Sequence, residues 1–152
     1  MAEAKFDVIA AHRYFSTDCF NRAWDLMEKQ GRSQEEDEEM VRLNQSSLWH
    51  WTQRPDCTKK NLSVGYWQAS RIHVILKRVE AARHYAQLCL HTSEHEAPFY
   101  LAYAYETLAR TEKLAGNPAL AQTYSTEAQR LTDSVVDADE RKLLVADLAT
   151  LA

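Results

Sequence analysis

Glycine and proline are both scarce in this chain, with three of each among 152 residues. A fold of many strands and tight turns needs more of both, so the composition nearly excludes an all-β protein. Hydrophobic residues make up 45% of the chain and charged residues 26%, which is typical of a globular protein and not of a disordered one. The length suffices for one core of ordinary size, and we expect a single domain over residues 1–152.

Long apolar runs are missing as well. The longest spans residues 99–105, far below the roughly 20 residues that a membrane-spanning helix requires. The N-terminus carries Glu3, Lys5 and Asp7 and lacks the basic and apolar regions of a signal peptide. The three cysteines are an odd set without CxxC spacing, which argues against a disulfide framework and a zinc ribbon. These absences predict a cytoplasmic protein that makes no contact with a membrane.

Acidic residues outnumber basic ones, 22 to 18, which gives a formal net charge of −4. Such a balance disfavours binding to nucleic acid, whose phosphates attract basic surfaces. A locally basic run does extend from Arg71 to His84. On a helix such a run is more often a solvated face or a contact for an acidic partner, so nucleic acid is not the expected ligand.

Apolar residues recur at intervals of three and four along the chain, which predicts helices throughout and an all-α fold. Potential capping residues at 16–18 divide the first segment into two short helices, about 3–15 and 17–30, with one bent helix as the alternative. Further helices are expected at about 34–53, 57–76, 79–91, 98–116, 117–133 and 137–151. Their signals include Gly31 and Gly116 at helix ends, the capping box of Ser33 and Glu36, Thr58, Pro98, Pro118, and Asp137 with Glu140.

One segment carries an internal repeat pattern, which consists of Tyr105, Leu108, Ala109, Gly116, Asn117, Pro118, Ala121, Tyr124, Ala128 and Leu131. The pattern resembles the tetratricopeptide repeat (TPR), a helix-turn-helix unit in which small residues let the two helices cross closely. The segment departs from the TPR pattern at Glu112, Ser125 and Asp133, where a large hydrophobic residue, an aromatic residue and a proline are usual.

An earlier copy of the pattern can be aligned by placing Ala81 opposite Ala121. The two alanines lie about 40 residues apart, which exceeds the roughly 34-residue TPR period, so we expect an insertion near residues 92–98. In this alignment Leu76 stands at the position of the turn glycine.

The resemblance implies a TPR-like stack of antiparallel helical hairpins, with about seven to eight helices in all. We divide it into degenerate N-terminal helices at 1–56, two TPR-like hairpins at 57–133 and a C-terminal capping helix at 134–152.

Stacks of this kind curve, and the first helices of successive hairpins usually line a concave surface that holds a peptide or a partner helix. If the alignment holds, the exposed residues that face this groove are Ser63, Tyr66, Ser70, His73, Tyr103, Glu106, Arg110 and Lys113. The alternative for each of them is that it belongs to an ordinary solvent-exposed helix surface and has no role in binding.

Aromatic residues are dense in the first half of the chain, at Tyr14, Phe15, Phe20, Trp24, Trp49, Trp51, Tyr66 and Trp67. Such rings serve in core packing more often than in a ligand cleft. Trp49 and Trp51 lie two residues apart on one helix and so point about 200° apart. At least one of them should reach the surface, another hairpin or a second subunit, as in a homodimer.

Metal binding has little support in the sequence. His12 and His50 are the residues to consider for an N-terminal site, but no spacing brings three or four ligands together. We therefore expect no cofactor, no metal and no assignable catalytic residue.

The function expected from the sequence is that of a non-enzymatic protein-interaction module. Two alternatives stay open: a helical bundle with a metal or small ligand in its N-terminal half, with or without catalysis, and a homo-oligomeric scaffold.

Overall fold

The computed structural model describes residues 5–152, which form seven α-helices and no strand. In chain order the helices are α1 (Val8–Glu28), α2 (Gln34–Thr52), α3 (Lys59–Ile75), α4 (Val79–Ser93), α5 (Pro98–Leu114), α6 (Pro118–Asp133) and α7 (Ala138–Ala149). The expected all-α class is confirmed. None of the helices in this part of the chain is both long enough and apolar enough to cross a membrane.

One continuous helix replaces the two short helices expected in the N-terminal segment. It begins at Val8 with Asp7 as its cap, and the expected start at residue 3 lies outside the described residues. The hydroxyls of Ser16 and Thr17 donate to the carbonyl of Arg13, over 3.0 and 3.2 Å. Because these hydroxyls bond to the preceding turn and do not cap a new one, the helix continues through the predicted break.

Most of the start signals predicted for the other helices are confirmed. Ser33 and Glu36 form a full capping box at the start of α2. Thr58 caps α3, and Asp137 accepts hydrogen bonds from two backbone amides at the start of α7. Prolines stand in the first turns of α5 and α6. Local sequence therefore determines where most of the helices begin.

The helices pack as three antiparallel hairpins followed by a single helix. α1 packs on α2, α3 on α4 and α5 on α6, while α7 contacts both α5 and α6. Successive hairpins also meet through their odd-numbered helices, because α3 contacts α1 and α5, and α5 contacts α7. The expected hairpin stack with a C-terminal helix is thus confirmed. We call the side on which α1, α3, α5 and α7 lie the odd-helix face.

The second and third hairpins share local features at one constant interval. The interval from the start of α3 to the start of α5 equals that from the start of α4 to the start of α6. Tyr66 stacks on Tyr85 with their ring centroids 6.3 Å apart. At the same interval Tyr105 meets Tyr124 at 6.1 Å. An aromatic pair therefore joins the two helices in both hairpins.

The turns of these two hairpins also correspond. At this interval the counterpart of Gly116 is Lys77, and not Leu76, so the alignment of Ala81 with Ala121 is one residue too long. Gly116 and Lys77 both adopt the left-handed backbone conformation, with φ of +79° and +58°. In each turn the next amide donates back to a carbonyl five residues earlier, over 2.9 and 2.8 Å. The turns close in the same way although only one contains glycine.

Glu112 is buried at the position where the repeat pattern usually has a large hydrophobic residue. Its carboxylate accepts hydrogen bonds from the Arg83 guanidinium at 2.7 and 3.2 Å and from the Asn117 amide at 2.7 Å. The hydrogen bond with Arg83 lowers the pKa of Glu112. An ion pair between α4 and α5 thus takes the place of an apolar contact.

Candidate functional site

A groove runs along the odd-helix face, over the open side of α3. The α3 residues that line it, in order along the helix, are Asn61, Ser63, Val64, Gly65, Trp67, Arg71 and Ile75. α1 forms one wall, and α5 with α7 forms the other. The part between α1 and α7 has a volume of about 510 Å³. This groove is the candidate functional site because it is the place where all four odd-numbered helices meet.

Aromatic side chains dominate the middle of the groove. Trp24 of α1 stacks on Trp67 of α3, with ring centroids 5.6 Å apart and 24° between the planes. Tyr103 of α5 meets Trp67 edge-on at 5.6 Å. Trp24 is 36% exposed, although its indole N–H already donates to Glu28 over 2.9 Å. The groove therefore presents aromatic surface that a bound partner would remove from water.

A network of opposite charges borders this aromatic surface. The Arg71 guanidinium lies 3.3 Å from the Asp147 carboxylate of α7 and 3.6 Å from the Glu106 carboxylate of α5. Glu106 is fully buried and also accepts a 2.8 Å hydrogen bond from Arg110. Arg110 in turn donates to the backbone carbonyl of Asp147 over 3.1 Å. The charges of two arginines balance those of two carboxylates, and the network connects α7 with α3 and α5.

Tyr103 belongs both to the groove wall and to the contact with α7. Its hydroxyl donates to the Asp147 carboxylate over 2.8 Å. Burial raises the pKa of Tyr103, and the hydrogen bond to the Asp147 carboxylate raises it further. Tyr103 consequently stays a neutral hydrogen-bond donor at physiological pH.

Four of the eight groove residues expected from the sequence are buried: Ser63, Ser70, His73 and Glu106. Ser63 and Ser70 bond to α4, at the Ser93 hydroxyl over 2.5 Å and at the Ala82 carbonyl over 2.9 Å. His73 stacks on Tyr85 with ring centroids 5.5 Å apart, and burial lowers its pKa. The expectation that these four side chains are exposed was wrong.

The physical reason lies in which side of α3 is covered by α4. Successive helical residues are about 100° apart around the axis, so the residue after each predicted one points to a different neighbour. Tyr66 stacks on α4, whereas Trp67 lines the groove. Likewise Ser70 bonds to α4, whereas Arg71 lines the groove. At these two positions the predicted face was therefore one residue out of register.

The three other groove residues predicted on α5 differ in their contacts with α7 and the residues after it. Tyr103 lines the groove. Arg110 donates to the Thr150 hydroxyl over 2.7 Å, and Lys113 donates to the Leu151 carbonyl over 2.8 Å. Both cations therefore bind the end of α7 and the residues after it, because α7 packs beside α5 as a further odd-numbered helix.

The groove residues expected from the sequence did not include Trp24, Trp67, Arg71 or Asp147. Trp24 and Trp67 were part of the aromatic group for which core packing was the favoured interpretation. Trp67 and Arg71 are four residues apart, and this spacing was the local signal for a shared helix face. No local signal connects Asp147 with α3, since the connection requires the docking of α7.

The two tryptophans expected at an interface point to different surroundings, as their spacing predicts. Trp49 is 56% exposed. Trp51 is half-buried beneath Arg54, whose guanidinium carbon lies 3.8 Å from the ring centroid. Trp49 is therefore the ring that offers apolar surface outside the groove.

His12 and His50 lie together at the contact between α1 and α2. Their Nδ1 atoms are 2.8 Å apart, a hydrogen-bond distance at which one ring donates and the other accepts. Burial lowers the pKa of His50, and the neighbouring His12 lowers it further. Within residues 5–152, no group of three or more His, Cys, Asp or Glu side chains is placed to hold a metal ion.

The groove combines an open aromatic surface with a charge network that is already paired internally, an arrangement suited to binding. The arginines of the basic run are paired as well: Arg71 with Asp147, Arg78 with Glu38 over 2.7 Å, and Arg83 with Glu112. No protein-family model, no curated protein and no solved structure matches this chain.

Proposed function

We propose that this chain is a non-enzymatic protein-interaction module that binds a peptide or a partner helix in the groove of the odd-helix face. The observation that carries the proposal is the exposed stack of Trp24 on Trp67, in the middle of a groove that touches all four odd-numbered helices. Tryptophan is enriched among the residues that dominate binding energy at protein interfaces. The TPR-like pattern of residues 105–131 supports the same function.

The length of the groove suits a short segment of protein. From Asn61 to Ile75 the floor follows α3 for about 21 Å, at roughly 1.5 Å per helical residue. A partner helix of about four turns, or about six residues of extended chain at roughly 3.3 Å each, would cover it. A cytoplasmic setting, where thiols stay reduced, suits the three unpaired cysteines.

The test is a selection of random peptides displayed on phage against the immobilised protein, followed by binding measurements on a matched pair of variants. Leu143 and Val145 lie on α7 and are 57% and 50% exposed, but Leu143 lines the groove. We expect Leu143→Glu to weaken the selected peptides by about tenfold or more, since it places a charge in the apolar groove. Val145→Glu, which makes the same change in charge outside the groove, should leave their affinity unchanged.

A second pair of variants addresses the aromatic surface. Trp24→Ser removes the exposed half of the tryptophan stack, whereas Trp49→Ser removes an exposed tryptophan elsewhere. Loss of binding in the first variant alone is the expected result. Peptides that bind equally to all four variants, or a selection that enriches no peptide, would show that the groove is not a binding site.

A homo-oligomeric scaffold is the second candidate, and the exposure of Trp49 favours it. Val8, Phe15 and Trp49 are all exposed around the His12–His50 pair. An apolar surface of this kind can be covered by a second copy of the chain. Sedimentation equilibrium should then show a dimer that Trp49→Ser dissociates, whereas a monomer at all concentrations would exclude this candidate.

A further inference from the structure

A small apolar pocket opens beside the tryptophan stack, between the N-terminal halves of α3 and α5. It is lined by Trp24, Ser63, Val64, Trp67, Cys89, Phe99, Tyr100 and Tyr103, and its volume is about 160 Å³. An apolar protein cavity of about 150 Å³ is large enough to hold benzene. The pocket is therefore the right size for one phenyl ring or a side chain of similar bulk.

Two of the polar groups that line the pocket, the Ser63 hydroxyl and the Cys89 thiol, are already satisfied. The Ser63 hydroxyl hydrogen-bonds to the Ser93 hydroxyl, and it lies 3.8 Å from the Cys89 sulfur. Burial raises the pKa of Cys89 to about 12, so the thiol stays neutral. The indole nitrogen of Trp67, by contrast, is buried without a hydrogen-bond partner in the described part of the chain. Because no acidic or basic side chain of residues 5–152 lines the pocket, it favours a mainly apolar occupant.

The rim of the pocket carries one cation that is available to a ligand. The Lys60 ammonium lies 5.7 Å from the ring centroid of Tyr100, and Lys60 is exposed. Among residues 5–152, no carboxylate lies within ion-pair distance of Lys60. Arg71, the other cation close to the aromatic rings, is already paired with Asp147.

We infer that the partner is a peptide segment that inserts a phenyl-sized side chain into this pocket and places the carboxylate of an acidic residue two positions away against Lys60. The inference rests on the proposed function and adds the chemistry of the ligand. Side chains two positions apart in an extended peptide lie on the same face, about 6.6 Å apart along the chain, so a glutamate two residues from the anchor can reach the rim. The apolar contact supplies affinity, and the ion pair distinguishes acidic segments from basic ones.

The probes are three pentapeptides that are acetylated at the N-terminus and amidated at the C-terminus, so that they have no terminal charge. Their sequences are Glu-Gly-Phe-Gly-Glu, Lys-Gly-Phe-Gly-Lys and Glu-Gly-Ala-Gly-Glu, and the charged residues are placed symmetrically because the binding direction is unknown. Each is titrated to millimolar concentration while the indole N–H signals of the protein are followed by NMR. Trp24 and Trp67 report on the pocket, and Trp49 is the internal reference.

We expect the peptide with Glu and Phe to shift the Trp67 indole signal and to bind about tenfold tighter than the peptide with Lys and Phe. The peptide with Ala should cause no shift. Lys60→Glu should reverse the preference between the two Phe peptides. Lys59→Glu is the matched control, because Lys59 is exposed on the same helix turn but does not contact the pocket rings, and it should leave the preference as in the wild type.

A filled pocket gives an independent check. Val64 lies on the wall, and Val64→Phe should abolish the shifts while circular dichroism shows the same helix content. The inference is overturned if the peptide with Glu and Phe causes no shift, if the Ala peptide binds equally well, or if Lys60→Glu behaves like the wild type. Phage-selected peptides that depend on Leu143 would still support groove binding in each of these cases, so the two proposals fail separately.

Discussion

The hydroxyl of Tyr103 on α5 donates a hydrogen bond of 2.8 Å to the carboxylate of Asp147 on α7. Arg71 of α3 lies 3.3 Å from the same carboxylate. Among the residues of α7 only Leu144 is buried, and polar contacts with α3 and α5 add to the apolar contact that it makes. The hydrogen bond between Tyr103, on the groove wall formed by α5, and Asp147 therefore also holds α7 in place.

Tyr103→Phe should destabilise the protein by about 1.5 kcal/mol, because it removes a hydrogen bond to a charged group that is only partly exposed. Urea unfolding followed by circular dichroism measures the change. Tyr124→Phe is the control, since the Tyr124 hydroxyl makes no hydrogen bond within residues 5–152. We expect the control to stay within about 0.5 kcal/mol of the wild type. Equal stability of the two variants would contradict a role for Tyr103 in holding α7.

Glu112→Leu should destabilise the protein by about 2 kcal/mol, because it removes the buried partner of Arg83. The loss stays below that for a fully buried pair, since Arg83 is 26% exposed and also contacts Glu80. The double variant Glu112→Leu with Arg83→Met should regain most of the lost stability, because neither charge is then left without its partner. Thermal unfolding of Glu112→Leu, of Arg83→Met and of the double variant tests this coupling. Additive losses in the double variant would show that the ion pair does not act as a unit.

Lys77→Gly should stabilise the protein by about 0.5 kcal/mol, because glycine adopts the left-handed backbone at φ of +58° without steric conflict. Gly116→Lys should do the opposite and destabilise it by about 1 kcal/mol. Lys77→Ala is the control for loss of the charge, and it should not be stabilised because alanine keeps the steric conflict. Urea unfolding compares the three variants, and a gain in Lys77→Ala equal to that in Lys77→Gly would refute the backbone explanation.

Stability should fall as the pH is lowered from 7 to 5. Burial lowers the pKa of His50 and of His73 in the folded protein, whereas histidine in the unfolded chain titrates near about 6.5. Below that pH the unfolded chain binds more protons than the folded one, so the free energy of unfolding decreases. The contribution is fully present above about pH 6.5 and is lost as the pH falls towards the lowered pKa values.

The His50→Gln variant should show a smaller decrease over the same pH range, because one of the two shifted groups is gone. His84→Gln changes an exposed histidine and serves as its control. Free energies of unfolding are to be measured at several pH values between 5 and 7. A pH dependence in His50→Gln identical to that of the wild type would exclude His50 as a source of the effect.

The helical class and most of the helix ends can be predicted from local sequence patterns alone. Three side chains can accept hydrogen bonds from the first backbone amides of a helix, and in the structure each of them does so: those of Ser33, Thr58 and Asp137. The same rule failed at Ser16, because a hydroxyl inside a helix can also donate to the preceding turn. A serine side chain either caps a new helix or bonds back to the preceding turn, and the backbone conformation at that residue decides between the two.

The position of the groove was decided only by the tertiary structure. Apolar periodicity shows that α3 has a buried side, but it does not show which neighbour covers which side. α4 packs over Ser70, and the adjacent Arg71 is left facing the groove. α7 then packs beside α5 and brings Asp147 to Arg71. Helix ends depend on interactions within a few residues, whereas a groove between four helices depends on contacts between residues far apart in the chain, which no local pattern encodes.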